Sequence, residues 1–244
     1  MFFRLWALLC AAQTTLALNF TVSGGQVFTP GLVVVDAPQP GTPLGGDIIE
    51  VALDVSTNGR LPLPPYAEGS PSQIHNVTIF LYSYATGKNL TITNGTASAN
   101  NASLGDIMFQ EPGSTVKHVK WTWPDCLVGD GQPTEVDSAR GVYNISIRQN
   151  FRLNGNDHYT IFDLPISVTN RIDASDERPS CDALNNPLLT PDQVDVMGAN
   201  DLPDMFAPGD ATTVQTSGAG AGALSRRSGA SWVSLVGVAV AIIL

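Results

Sequence analysis

Apolar residues alternate with polar ones in several short runs of this chain, and this alternation constrains its fold more than any other feature. In residues 47–56 every second position is Ile, Val or Leu, and Val119, Trp121 and Trp123 are spaced in the same way. Residues 143–153 alternate similarly. Since successive side chains of a β-strand point to opposite faces of its sheet, each run predicts a strand with one buried and one wet face.

Four further runs complete the pattern, at residues 32–35, 76–84, 89–93 and 159–169, with clusters of Pro, Gly and Asn between them. No helical period of useful length interrupts these runs. We therefore predict an all-β fold, a single immunoglobulin-like or fibronectin-like β-sandwich over residues 18–170. Residues 171–217 turn to Asp, Pro, Asn, Gly and Ala with little periodicity, which predicts a disordered, acidic C-terminal stalk.

The N-terminus has the layout of a secretory signal. Arg4 precedes an apolar run over residues 5–12, and the small residues Thr15 and Ala17 follow it. This order predicts a signal peptide over residues 1–17, cleaved after Ala17.

The C-terminus has the layout of a glycosylphosphatidylinositol (GPI) signal. Small residues at 217–220 precede a polar spacer with two arginines and an apolar run over residues 230–244. A tail-anchored membrane span is the alternative, but this run is shorter than the roughly 20 residues needed to cross a bilayer. We expect residues 218–244 to be removed, with Ser217 or Gly218 as the attachment residue. The two end signals together predict an extracellular protein, GPI-anchored to the plasma membrane at the cell surface or transferred to the cell wall.

Glycosylation and disulfide sites agree with secretion. Cys10 falls in the predicted signal peptide, so Cys126 and Cys181 remain and predict one disulfide in an oxidising compartment. A zinc site would need further ligands nearby, which the sequence lacks. Six asparagines begin N-x-S/T triplets and are predicted to be glycosylated, namely Asn19, Asn76, Asn89, Asn94, Asn101 and Asn144.

Charge and motifs exclude several classes of function. With 22 acidic and 12 basic residues the chain carries a formal charge of -10, which disfavours nucleic acid as a partner. No nucleophile elbow, zinc-protease motif, P-loop or dinucleotide fingerprint is present, so we expect no catalytic residues, no cofactor and no enzyme activity. Residues 54–59 imitate the start of a calcium loop, yet Pro65 stands where a bidentate Glu is required. His75, His118 and His158 lie on separate runs, without metal-ligand spacing.

One run has two apolar faces. Val77, Ile79 and Leu81 share one face of residues 76–84, while Phe80, Tyr82 and Tyr84 share the other. The aromatic face either lies under a neighbouring loop such as residues 61–66, or it forms an exposed strip. An exposed strip could stack against sugar rings or meet another protein.

Two resemblances add to this interpretation. Residues 139–143 resemble the corner of immunoglobulin-like domains, in which a Tyr hydroxyl bonds back to the backbone, although Tyr143 could also pack without that role. Ile145 stands where antibody domains carry a cysteine. The Pro/Gly stretch at 36–46, the Trp-Thr-Trp-Pro segment at 121–124 and the Gly-Val-Tyr-Asn-Ile-Ser-Ile segment at 141–147 resemble the fungal Ser/Thr-rich GPI-anchored family linked to cell-wall β-glucan assembly.

The end signals, the N-x-S/T triplets and the lack of catalytic motifs predict a non-enzymatic surface glycoprotein, and the family resemblance implies a role in cell-wall structure or adhesion. Its partners would be cell-wall polysaccharide or surface proteins, with the membrane reached through the lipid anchor. The alternative is a carbohydrate-binding module that recognises wall polysaccharide through the aromatic strip.

Overall fold

The computed structural model describes residues 17–93, 106–135, 137–186, 202 and 206–217. Within these residues the chain forms eleven strands, two four-residue α-helices, α1 (Asp106–Phe109) and α2 (Cys181–Leu184), and one 3-10 helix at Asp125–Leu127. In chain order the strands are β1 (Ala17–Ser23), β2 (Gln26–Phe28), β3 (Val34–Ala37), β4 (Pro43–Leu44), β5 (Ile48–Asp54), β6 (Gln73–Tyr82), β7 (Asn89–Thr91), β8 (Val116–Thr122), β9 (Gly141–Leu153), β10 (Asn156–Val168) and β11 (Thr212–Ser217).

The strands form two sheets that pack as a sandwich. One sheet has six strands in the order β11-β1-β2-β3-β5-β8, and the other has five in the order β4-β10-β9-β6-β7. Every described pairing is antiparallel except that of β4 with β10. The predicted fold class, an all-β immunoglobulin-like or fibronectin-like sandwich, is confirmed.

The core lies between the sheets and is filled by the alternating residues of each strand. Ile49, Val51 and Leu53 of β5 are buried, as are Ile145 and Ile147 of β9. Each such side chain, taken out of water, stabilises the fold by roughly 1.5–3 kcal/mol. The side chains that alternation predicted to face the core are therefore the ones that are buried.

The corner predicted at residues 139–143 is present. The Tyr143 hydroxyl donates to the backbone carbonyl of Ala139, and the ring is fully buried at the start of β9. Next to it, the Arg140 guanidinium donates to the carbonyls of Leu127 and Asn170. The turn that enters β9 is thus fixed to two neighbouring segments by side-chain hydrogen bonds.

A buried amide joins the two sheets at the other end of β9. Gln149 is fully buried, and its Oε1 accepts hydrogen bonds from the backbone N–H groups of Leu32 and Val33, both at 2.9 Å. Its Nε2 donates to the Thr29 hydroxyl at 2.8 Å. A Cβ on Gly31 would lie 2.5 Å from Gln149 Oε1, so only glycine fits under this side chain.

The segment that follows β10 packs on the sandwich. Ile172 exchanges two backbone hydrogen bonds with Gly129. Cys181 forms the predicted disulfide with Cys126, and the prediction of this bridge is confirmed. Residues 171–186 of the predicted stalk therefore lie against the sandwich, and residues 212–217 form β11. Residues 187–201 and 203–205 of that stalk lie outside the described residues.

Candidate functional site

The aromatic face predicted on β6 lies on the side of the five-stranded sheet that faces away from the core. Phe80 is fully buried there, and the guanidinium carbon of Arg148, on β9, lies 4.7 Å from the centre of its ring. This is a cation–π arrangement, which stabilises a buried cation more than an exposed one. Because Phe80 is covered, it is not available to an external ligand, and the predicted strip is shorter than expected.

Tyr84 is the exposed member of the predicted strip. It follows the end of β6, and 57% of its surface is accessible. Its hydroxyl donates to Asp163 Oδ2, on β10, at 2.6 Å. Its ring meets Tyr82 edge to face, with the centroids 4.6 Å apart at 90°. Two contacts therefore hold the ring in one orientation while more than half of the residue's surface stays accessible.

The Tyr84 hydroxyl lies next to the carboxylate of Asp163. Burial raises the pKa of Tyr84, and the charge of Asp163 raises it further, while Arg148 opposes both. The phenol therefore stays protonated and keeps its role as a hydrogen-bond donor. Asp163 Oδ1 is also buried and has no hydrogen-bond partner among the described residues. This arrangement can present an aromatic platform.

The predicted glycosylation sites are placed unevenly. Asn76, Asn89 and Asn144 are only 4%, 6% and 8% exposed, and Asn89 Nδ2, the atom that would carry a glycan, donates to the Asn186 carbonyl at 2.9 Å. Strand phase places Asn144 away from the core, yet that face is covered. A glycan at any of these three residues would need the side chain to reach solvent. Asn94 and Asn101 lie outside the described residues, and for Asn19 only the backbone in β1 is described.

The three histidines do not converge. His118 lies on the six-stranded sheet beside Glu111, whereas His75 contacts Asp157 on the other sheet. His158 stacks on Phe151 with the ring centroids 5.4 Å apart. Among the described residues, the one group of three potential metal ligands joins Asp125 to the two disulfide cysteines, whose sulfurs are already bonded to each other.

The predicted processing sites lie side by side. Ala17 and Ser217 are register partners in the pairing of β1 with β11. Gly218 and residues 1–16 lie outside the described residues. In the part of the chain that the structure describes, no helix has both the length and the apolar character needed to cross a bilayer.

A cavity of about 300 Å³ lies at the end of the sandwich where β9 turns into β10. Leu32 and Leu61 belong to its apolar lining, and Arg60 stands at its edge and donates to the Phe206 carbonyl at 3.1 Å. The remaining lining residues are Thr57, Ser72, Leu153 and Asn154.

Arg148 and Asp163 are the site residues that sequence reasoning missed. Each occupies an outward position of its strand, where alternation predicts an ordinary solvated polar side chain. The nearest signal is the aromatic face of β6, because a strand that is apolar on both sides implies that something covers the second side.

No protein-family model matches the chain, and neither a curated protein nor a solved structure is detectably similar to it.

Proposed function

We propose that the chain is a non-enzymatic, GPI-anchored surface glycoprotein with a role in cell-wall structure or adhesion. The supporting sequence features are the N-terminal signal layout, the C-terminal GPI layout, the sequons and the resemblance to fungal Ser/Thr-rich GPI-anchored proteins. The disulfide between Cys126 and Cys181 suits the oxidising compartment that such a protein passes through.

One structural observation carries the proposal. Ala17 pairs with Ser217 in the sheet, and the register continues from Leu18 opposite Thr216 to Val22 opposite Thr212. Cleavage after Ala17 would remove one residue of β1, and attachment at Ser217 or Gly218 would keep β11, so the pairs from Leu18 onward would be retained. Cleavage several residues further into either strand would remove an edge of the sandwich.

Surface labelling of intact cells that express the tagged chain tests the anchor. We expect surface signal that phosphatidylinositol-specific phospholipase C releases and that replacement of residues 217–220 abolishes. Replacement of residues 222–225, within the predicted spacer, is the matched control and should leave display unchanged. Signal that resists the lipase but is lost in the 217–220 variant indicates transfer to the wall, whereas retention in both conditions contradicts the anchor.

A second candidate function is carbohydrate binding, with Tyr84 as the stacking residue. The observation that favours it is an exposed ring held in place by Asp163 and Tyr82, because a fixed aromatic face costs little ordering when a sugar ring stacks on it.

Affinity electrophoresis through gels that contain wall glucan or chitin tests this candidate. Tyr84→Ala should abolish retardation, whereas Tyr84→Phe keeps the ring and should keep most of it. Phe109→Ala removes another exposed aromatic ring, on α1, and is the control that should change nothing. Retardation that persists in Tyr84→Ala would assign binding to a different surface.

A further inference from the structure

Three of the four sheet edges in the described structure are protected against pairing with another strand. On β8, Lys117 points inward and is buried, and its Nζ donates to the carbonyls of Gln110 and Glu111 at 2.6 and 2.9 Å. A charged side chain that points inward is a known way to block an edge strand, because a partner strand would trap it away from water.

The two edges of the five-stranded sheet are protected differently. β7 is three residues long and is covered by Asn185 and Asn186, which form a bridge and a backbone hydrogen bond to it. β4 is two residues long and begins with Pro43, which has no N–H to offer. Short strands and proline both limit pairing with another chain.

β11 has none of these features. It spans six residues, Thr-Thr-Val-Gln-Thr-Ser, without a charge or a proline, and its register with β1 is continuous, without a bulge. Thr212 and Thr213 are exposed, and Val214 is 42% exposed. The outer edge of β11 therefore presents main-chain N–H and C=O groups that pair with no strand in the described part of the chain.

The three strands at this edge carry no charged residues of their own. β11, β1 and β2 contain no Asp, Glu, Lys or Arg, although the chain has 34 such residues. Charges flank them at Asp36 on β3, which accepts a hydrogen bond from Gln26 of β2 at 2.8 Å, and at the exposed Asp210, two residues before β11. Two copies of a chain with a formal charge of -10 repel each other, so strands without charged residues are where they approach at least cost.

We propose that the free edge of β11 pairs antiparallel with β11 of a second copy of this chain and joins the two six-stranded sheets into one. Antiparallel pairing of identical strands creates a two-fold axis perpendicular to the sheet. Because successive residues face opposite sides, residues that oppose each other must differ by an even number. The two central residues of the six-residue strand are Val214 and Gln215, so the axis passes next to one of them. In the dimer that residue lies opposite the same residue of the second copy.

The pair is expected to be weak in solution. One strand edge buries far less surface than the roughly 1,200 Å² of a small stable interface, so the two copies exchange readily. Salt should favour the pair, since it screens the repulsion between two acidic domains. This inference does not depend on the anchor or on carbohydrate binding.

Cysteine cross-linking on the full chain tests the pairing. Val214→Cys and Gln215→Cys are each made with Cys10→Ser, so that the introduced thiol is the one not committed to the Cys126–Cys181 bridge. Under mild oxidation, at least one of them should give a disulfide-linked dimer of twice the chain mass. Thr122→Cys, exposed on β8, is the matched control and should give little.

A charged residue introduced on the edge of β11 distinguishes cross-linking through strand pairing from cross-linking through random collisions between copies. Thr213→Lys, added to the cross-linking variant, brings two lysines close to the two-fold axis and should lower the dimer yield about threefold or more. Thr122→Lys should leave the yield unchanged. Any one of three results would overturn the proposal. They are equal dimer yields from the residue 122 control, no dimer from either the 214 or the 215 variant, and a dimer yield that Thr213→Lys leaves unchanged. A cross-linked band with the added mass of another protein would also overturn it.

Discussion

Gln149 occupies a position of β9 where alternation calls for an apolar side chain, and its three hydrogen bonds explain why an amide is found there. We expect Gln149→Ala to lower the free energy of unfolding by about 3–5 kcal/mol. The change leaves the buried N–H groups of Leu32 and Val33 unpaired, at roughly 1–3 kcal/mol each, and opens a cavity. Urea unfolding followed by tryptophan fluorescence measures the loss.

Gln110→Ala is the control for this substitution. The Gln110 side chain is exposed, so its removal should change stability by no more than about 0.5 kcal/mol. Equal effects of the two substitutions would show that the amide does not join the sheets.

Ionisation of the Tyr143 phenol should make the stability of the fold depend on pH in alkaline solution. Burial raises its pKa to about 12, whereas the unfolded chain releases the same proton near 10.0. The folded state therefore binds more protons between these values, and stability, complete below pH 10, falls as the pH rises through 12. We expect Tyr143→Phe to cost about 1 kcal/mol at pH 7, through loss of the bond to Ala139, and to make this alkaline fall shallower.

Unfolding midpoints measured from pH 7 to 12 test the Tyr143 prediction. Tyr66, whose pKa burial also raises to about 12, should maintain part of the fall in the variant. An unchanged pH profile in Tyr143→Phe would contradict the raised pKa of the buried Tyr143 phenol.

The sequence did not predict which polar side chains are buried. Alternation gives the face on which a side chain lies but not what covers that face. For this reason the buried Arg148, Lys117 and Gln149 were not predicted, because each depends on partners distant in sequence. Phe80 and Tyr84 were expected to share one exposed strip, yet one is buried and the other exposed. The corner at Tyr143 was predictable because its partner lies four residues away.

At the scale of elements, strands that bury one face were predictable and strands held mainly by main-chain pairing were not. β5, β8, β9 and β10 follow from alternation because the core selects every second residue. β11 consists mainly of Thr, Gln and Ser, and its partner β1 comes from the opposite end of the chain. No local sequence pattern indicates a pairing between two segments so far apart in the chain.

The segment between β10 and α2 depends on the disulfide and on one arginine. The Arg178 side chain is 3% exposed, and it donates to Trp123 O and Asp173 O and pairs with Asp47. We expect Cys126→Ser with Cys181→Ser to cost roughly 4 kcal/mol, as the chain-entropy model gives for this loop. The segment should also open, so that a glutamate-specific endoproteinase cleaves after Glu177, next to Arg178, in the variant.

Limited proteolysis with mass spectrometry at native pH measures this opening. Glu68, which is exposed and lies outside the segment, is the internal control and should be cut at similar rates in both proteins. If the bond after Glu177 stays protected in the double variant, the Arg178 contacts alone hold the segment.

At the scale of the whole molecule, the two predicted processing sites lie next to each other in the folded domain. β1 and β11 bring Ala17 and Ser217 together at one edge of the six-stranded sheet. A domain anchored through Ser217 or Gly218 would be joined to its lipid directly at that edge strand, and the membrane would lie next to the uncharged strands β11 and β1.

The most direct test of this account is mass spectrometry of the mature protein isolated from cells. The account predicts an N-terminal peptide that begins at Leu18 and a C-terminal peptide that ends at Ser217 or Gly218, linked through ethanolamine phosphate to the glycan of a GPI anchor. Peptides that retain Met1 or extend to Leu244 in the mature protein would contradict it.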